Sequence, residues 1–267
     1  MAVIEARIAP QRLAGTRAAR LLERNIMVYR RTWIVIVSGF FEPVFYLLAI
    51  GFGIGGLVGD VLLPDGQTIP YAVFVAPGLL ASSAMNGAIY DSTFNIFFKL
   101  RYAKTYDAML STPLDIPDVA VGEIAWALIR GTLYAIGFLV AMAILGLIES
   151  PLVILTIPGA MLIGFAFAAV GMAATTWVRR WTDFDWIFVV TLPLFLFSAT
   201  FYPIDVYPEP LRTFVALTPL TQSVVLLRSL SLGSIGPELL VPVVYLTLMG
   251  LAGLWVVNRR LGKLLLK

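Results

Sequence analysis

Residues 71–131 read YAVFVAPGLLASSAMNGAIYDSTFNIFFKL, RYAKTYDAMLSTPLDIPDVAVG and EIAWALIRG in succession. An apolar segment of membrane-spanning length runs into a short charged loop, and a second apolar segment leaves it. Lys99, Arg101 and Lys104 place that loop on the cytoplasmic side by the positive-inside rule. Within it, Ala103–Leu110 has the spacing of a two-turn amphipathic helix. Tyr106, Met109 and Leu110 fall at i, i+3 and i+4 as an apolar edge, while Lys104 and Asp107 face water. Thr112-Pro113 ends the helix, because the residue before proline avoids the helical region. Short arms on both sides suit a part that docks on another protein; an ordinary surface loop fits the same residues.

The apolar segment before the loop, about 71–98, carries its polar residues in order. Ser83, Gly87, Asp91 and Asn95 lie at successive i, i+4 steps and so form one stripe, with Asn86 beside it. The segment after the loop, about 116–147, contains Arg130. Glu42, in the first apolar segment, lies eleven residues past Arg31, about 16 Å along a helix, and Asp91 lies about 12 Å above Lys99. The three deep charges Glu42, Asp91 and Arg130 therefore reach similar depths. A charge at mid-bilayer costs at least about 2.5–3.5 kcal/mol, so partners are expected. Two readings follow: a Glu42–Arg130 or Asp91–Arg130 pair that pins helices together, or a polar lining for a cargo path.

Further outward, the same pattern of apolar runs and basic ends continues. Residues 1–32 hold seven arginines, and Arg17, Arg20 and Arg24 share one helical face opposite Ala14, Ala18, Leu22, Ile26 and Tyr29. That suits a helix along the inner membrane surface, or a plain cluster of topogenic charge. Apolar runs at about 33–57, 71–98, 116–147, 152–177, 185–199 and 238–257 predict six spans. Residues 99–115 form the inner loop between the second and third. Residues 200–237 are too apolar for a solvated loop, yet Pro203, Pro208, Pro210 and Pro219 interrupt them too often for one span. Two short helices, Leu211–Leu217 and Thr221–Leu230, re-entering from the outer face fit best. Sixteen of the 19 lysines and arginines fall on segments this topology puts inside, so both termini are expected in the cytoplasm.

Composition narrows the function. Sixty per cent of the 267 residues are hydrophobic and the mean hydropathy is +0.91, more apolar surface than a soluble domain can hide. The apolar runs are continuous rather than alternating, so the expected class is an all-α polytopic membrane protein in one permease domain, 1–267, not a barrel. With no cysteine and no histidine there is no thiolate chemistry, no imidazole metal site and no serine–histidine dyad. The glycines of GFGIGG at 51–56 match a dinucleotide fingerprint in spacing only, since no strand precedes them. No phosphate-binding G-x-x-x-x-G-K-[ST] occurs, so the chain is not expected to hydrolyse ATP. A channel would want polar faces on several spans, and only the second carries one. A membrane anchor or assembly subunit would leave the proline-broken outer segment without a role.

The runs FVAPGLLASSAM, DSTF and AMLSTPLDIPDVAVGEIAWALIRG, with LPLFLFSATFYPIDVYPEPLRTFVALTPLTQSVVLLRSL further on, resemble the ATP-binding-cassette type-two export permeases. Within them the chain is most similar to the branch of NodJ-like permeases and daunorubicin-type drug exporters. The resemblance extends over essentially the whole chain. It implies a homodimer of six-span subunits in the bacterial inner (plasma) membrane, each with a separate cytoplasmic ATPase that binds the ATP and magnesium. No cofactor is expected in this chain itself, and no nucleic acid as partner. It also implies that Arg17, Arg20 and Arg24, together with Lys104, Thr105, Tyr106, Asp107, Met109 and Leu110, lie at the ATPase contact. The cargo it implies is a lipo-oligosaccharide, a polysaccharide or an amphipathic drug.

Overall fold

A computed structural model of the chain describes residues 14–31, 41–63 and 66–265. The start of the N-terminal segment and residues 33–40 of the first predicted span lie outside the described residues. Helix α1 (Ala14–Arg31) is followed by α2 (Phe41–Val58), which turns through a short antiparallel ladder, β1 (Asp60–Leu62) with β2 (Thr68–Pro70), into α3 (Tyr71–Tyr102). Then come α4 (Thr105–Leu110), α5 (Ile116–Ile144) and α6 (Pro151–Thr175). The chain ends with α7 (Asp185–Leu196), α8 (Leu211–Ala216), α9 (Pro219–Leu232) and α10 (Leu240–Leu265).

Among the described residues, α2, α3, α5, α6 and α10 are long and apolar enough to cross a membrane. The predicted fifth span is the exception. Its helix, α7, has 12 residues and is about 18 Å long, short of a hydrocarbon core of about 30 Å. No residue of α7 is buried.

Helix α3 is the centre of the bundle, packed against α2, α5, α6 and α9. From Tyr71 to Ser82 it is buried on every side, which is why it reads as a continuous apolar run rather than an amphipathic one. Below that it turns polar on one face and widens into π turns at Asp91–Asn95 and Phe98–Tyr102. Helix α6 touches α3, α5 and α10 and is built from small residues. With no hydrophobic drive between helices in lipid, close backbone approach decides such contacts. A side chain at Gly253 of α10 would fall 2.7 Å from the backbone of Ala169, and one at Gly171 would fall 2.2 Å from the Ser92 hydroxyl oxygen.

Local chemistry sets the helix ends. Asp115 and Asp118 form a reciprocal capping box at the start of α5, with Pro117 in the first turn. Thr218 caps α9, and Gly233, with φ of 79°, closes it. Ser150 caps the short turn that opens α6. The two helices expected in the proline-broken segment are present as α8 and α9, and Arg212 of α8 pairs with Asp205 just before it.

Helix α1 lies against α5, rotated from its predicted setting. Leu21 and Asn25 are buried, whereas Ile26, expected on the apolar edge with Leu22, is exposed together with Met27 and Val28. The reason is that Leu21 and Asn25, at i and i+4, dock inward, leaving the neighbouring apolar residues facing out. Arg20 is exposed and pairs with Glu23 of the same helix at 3.0 Å; Arg24 is half-buried. Arg17 also lies on α1.

Candidate functional site

Helix α4 occupies the corner where α1, α5, α6 and α10 meet. Lys104, exposed and in a left-handed turn (φ 45°), swings the chain out of α3, and Thr105–Leu110 then folds back inward. Tyr106 and Met109 are 0% and 7% exposed and share a cluster with Leu21, Ile124, Met172 and Leu261. This corrects the expectation of an outward apolar edge. The amphipathicity was read properly, but the apolar side is consumed by the chain's own helices. Leu110 and Thr105 are half-buried, and the outward face is Lys104, Asp107, Ala108 and Ser111.

Beneath α4 sits an ion pair that the sequence reading missed. Lys99 donates to both oxygens of Glu123, at 2.9 and 2.8 Å, with the carboxylate almost fully buried. In the sequence Lys99 serves as a topogenic charge, and Glu123 is given no role within the third apolar run. The available signal was an acid on the first turns of α5, in an otherwise apolar run. The Tyr106 hydroxyl is buried beside the Glu123 carboxylate and makes no hydrogen bond of good geometry among the described residues. Burial first, then the neighbouring Glu123 carboxylate, push its ionisation well up.

Further along α3, Arg130 donates to Asp91 at 2.8 Å and to the Tyr134 hydroxyl at 3.1 Å. Of the two acids within reach on paper, Asp91 is the partner. Glu42 is exposed at the start of the described part of α2 and joins no salt bridge among the described residues. Ser83, Gly87 and Asp91 face a narrow cleft closed by Gly131 and Tyr134 of α5 and Gly164 of α6, so the polar stripe is a real seam between helices. Asn95 lines a small cavity with Asp91, Glu123 and Trp126, between the two ion pairs. Asn86 lies outside the seam and is exposed.

At the opposite end of the molecule lies a third charged group that the sequence reading counted only as an outside arginine. Arg228 of α9 is half-buried, and its guanidinium donates to the Phe74, Ala199 and Thr200 carbonyl oxygens, at 3.2, 3.0 and 3.2 Å. Its guanidinium stacks 3.8 Å over the Phe74 ring. Around it, Ser82 and Ser198 both lie within hydrogen-bond reach of the Thr200 hydroxyl, and the Tyr71 hydroxyl donates to the Phe201 carbonyl. A lone arginine in an apolar helix was the signal that could have found it.

Between α6 and α7, at the end of the molecule that carries the paired arginines, Arg260 stacks 3.8 Å over Trp177 and donates to the Thr176 hydroxyl. Asp183 accepts the backbone N–H groups of Arg179 and Arg180 at 2.9 and 3.0 Å. Those two backbone bonds hold the Asp183 carboxyl below the usual carboxylate range. No group of three metal-ligating side chains occurs among the described residues.

Residues 17–232 match the model of the ABC-2 type transporter family. The chain belongs to that family. Among its relatives, nodulation protein J of Rhizobium leguminosarum bv. viciae is 32% identical, over 79% of this chain and 80% of that protein. Nodulation protein J of Sinorhizobium fredii is 33% identical over 77% of each. Nodulation protein J of Rhizobium meliloti is 30% identical over 79% of each. An ABC-2 chain with several helices of spanning length and composition is a multi-pass membrane subunit of a transporter.

Proposed function

We propose that this chain is the permease subunit of an ABC exporter in a bacterial inner membrane, moving an amphipathic cargo outward with ATP hydrolysed by a separate cytoplasmic subunit. The cargo class is a drug-like amphiphile, a lipo-oligosaccharide or a polysaccharide. The observation that carries the reading is a polar seam, Ser83 to Asp91, on the central helix of an ABC-2 chain that is otherwise apolar. In this reading two copies form the transport unit, and both termini face the cytoplasm. Helix α7 supplies the sixth crossing. Helices α8 and α9 re-enter from the outer side.

Contact with the ATPase falls to the outward faces of α1 and α4: Arg20 and Arg24 on one, Lys104, Asp107 and Ser111 on the other. Tyr106 and Met109 act from behind, by fixing α4 to the bundle. Reconstitution into liposomes tests the whole reading. The chain alone should neither hydrolyse ATP nor conduct ions, and hydrolysis coupled to cargo movement should appear only with its ATPase. Hydrolysis by the purified chain, or ion conductance without a partner, would overturn it.

A further inference from the structure

The groove between α6 and α7 has no part in the proposed cargo seam. It has a volume of about 570 Å³. Phe167, Val170 and Ala174 form its α6 wall, and Trp186, Val190 and Leu194 its α7 wall. From Phe167 to Val178 on one wall, and from Asp183 to Leu194 on the other, the groove runs eleven residues, about 16 Å. Half of a hydrocarbon core of about 30 Å is about 15 Å, so the groove has the length of one acyl chain in one leaflet.

Its two ends differ. One is lined by Phe167, Leu194 and Met249, with Thr191 the polar side chain near it. The other opens beside Trp177 and Trp186, and Arg260 lies on the Trp177 ring with Arg179 and Arg180 two and three residues along. Arg179 and Arg180 are exposed. Two acids lie at this rim against the three arginines: Asp183 is engaged with the Arg179 and Arg180 backbone N–H groups and Arg180 reaches it only at 4.0 Å, while Asp185 is exposed at the start of α7. Tryptophans at this level are the residues that sit at the headgroup boundary of a bilayer. Arginine is the side chain best suited to phosphate, through its planar fork of donors.

We propose that this groove is a binding site for an anionic phospholipid of the inner leaflet. An acyl chain lies between α6 and α7, and the headgroup phosphate meets Arg179, Arg180 and Arg260. The lipid supplies the packing that α7 lacks from its own chain, since none of its residues is buried. The placement of the rim at the inner leaflet rests on the topology proposed above; the binding itself does not depend on transport.

Native mass spectrometry of the purified full-length chain in detergent tests this without ATPase or cargo. The chain is offered equal amounts of phosphatidylglycerol and phosphatidylcholine with the same acyl chains. The expected result is preferential retention of phosphatidylglycerol, about fivefold for each arginine engaged. Arg179→Gln with Arg180→Gln, both at exposed positions, should bring the two lipids close to parity. Val190→Trp, also at an exposed position, should reduce retention of both lipids by filling the groove. Inorganic phosphate at the same concentration should not compete. Equal retention of the two lipids by the unmodified chain, or loss of the preference to inorganic phosphate, would overturn the proposal. So would a disulfide forming between two copies through Val190→Cys in lipid-replete membranes, because a second copy would then occupy the groove.

Discussion

Arg130 and Arg228 are both large cations taken out of water, and the molecule accommodates them in opposite ways. Arg130 is neutralised by a carboxylate, Asp91, with Tyr134 as a further acceptor. Arg228 meets no carboxylate among the described residues; three backbone carbonyls and the face of Phe74 surround it. A charge pair can be taken apart and remade, because each member can find water, a proton or another partner. Carbonyls at the ends of two helices cannot leave. The first arrangement belongs where something must pass or shift, and the second where pieces must stay joined. Arg228 joins α9, the start of α3 and the turn after α7, three segments distant in sequence.

The sharpest test of that contrast is Arg228→Ala. It leaves up to three buried carbonyls without donors, at about 1–3 kcal/mol each, and removes a desolvated cation–π contact of about 2 kcal/mol. A loss on the order of 5 kcal/mol is expected, visible as a collapse of the thermal midpoint in detergent. Arg228→Lys should recover little, because one ammonium cannot span carbonyls on two segments as the planar fork does. Full recovery by lysine would erase the distinction.

Arg130→Ala should cost less, about 3 kcal/mol. Breaking a buried pair costs about 3–5 kcal/mol, but Asp91 can take a proton. The diagnostic is the double variant Asp91→Asn with Arg130→Met. It should regain most of the stability while still failing in transport. Stability unchanged by Arg130→Ala alone would mean that the pair does not hold α3 to α5.

A smaller effect, of opposite sign, is expected at the inner corner. Tyr106→Phe removes a buried hydroxyl that makes no hydrogen bond of good geometry among the described residues, and should stabilise the chain by about 1 kcal/mol in a melting experiment. Tyr106→Asp would instead put a carboxylate in the apolar corner and damage the fold, not merely a contact surface. Destabilisation by phenylalanine would mean that the hydroxyl is held by Glu123 after all.

The smallest effect is at Asp183, where a carboxylate orders only backbone. Because its folded pKa is depressed, its contribution is fully present above the ordinary carboxylate pKa of about 3.9 and fades as pH falls through the lower folded value. The protection factors of the Arg179 and Arg180 amides, with the intrinsic pH dependence of exchange divided out, should therefore be constant near neutral pH and fall in strong acid. Asp183→Asn should show weakened protection at every pH.

Much of this was legible in the chain itself. Apolar run length gave the spanning helices, since lipid leaves the backbone no other way to pair. The i, i+4 spacing of Ser83, Gly87 and Asp91 gave the seam, and depth arithmetic gave Arg130 a carboxylate partner, Asp91 or Glu42, without choosing between them. What periodicity could not give was direction. A two-turn helix with one apolar edge looks the same whether that edge meets a partner or its own bundle, and Tyr106 and Met109 turned inward. The same ambiguity displaced the buried face of α1 from Leu22 and Ile26 to Leu21 and Asn25. Glu123 and Arg228 were missed because their partners, Lys99 and the carbonyls near residue 200, lie far away in sequence.

The left-handed turn at Lys104 and the burial of Tyr106 together make α4 a foot rather than a hook. A hook swings on its own stalk and loses travel before the load moves. A foot set between α1, α5, α6 and α10 has no slack of its own. A push on Asp107 or Ser111 reaches the Lys99–Glu123 pair directly beneath it, about 12 Å along α3 from Asp91. In the proposed transporter, a stroke arriving at the seam would be set by how stiffly α3 conducts it, and the π turns at Asp91–Asn95 and Phe98–Tyr102, lying on that shaft, are where it can flex.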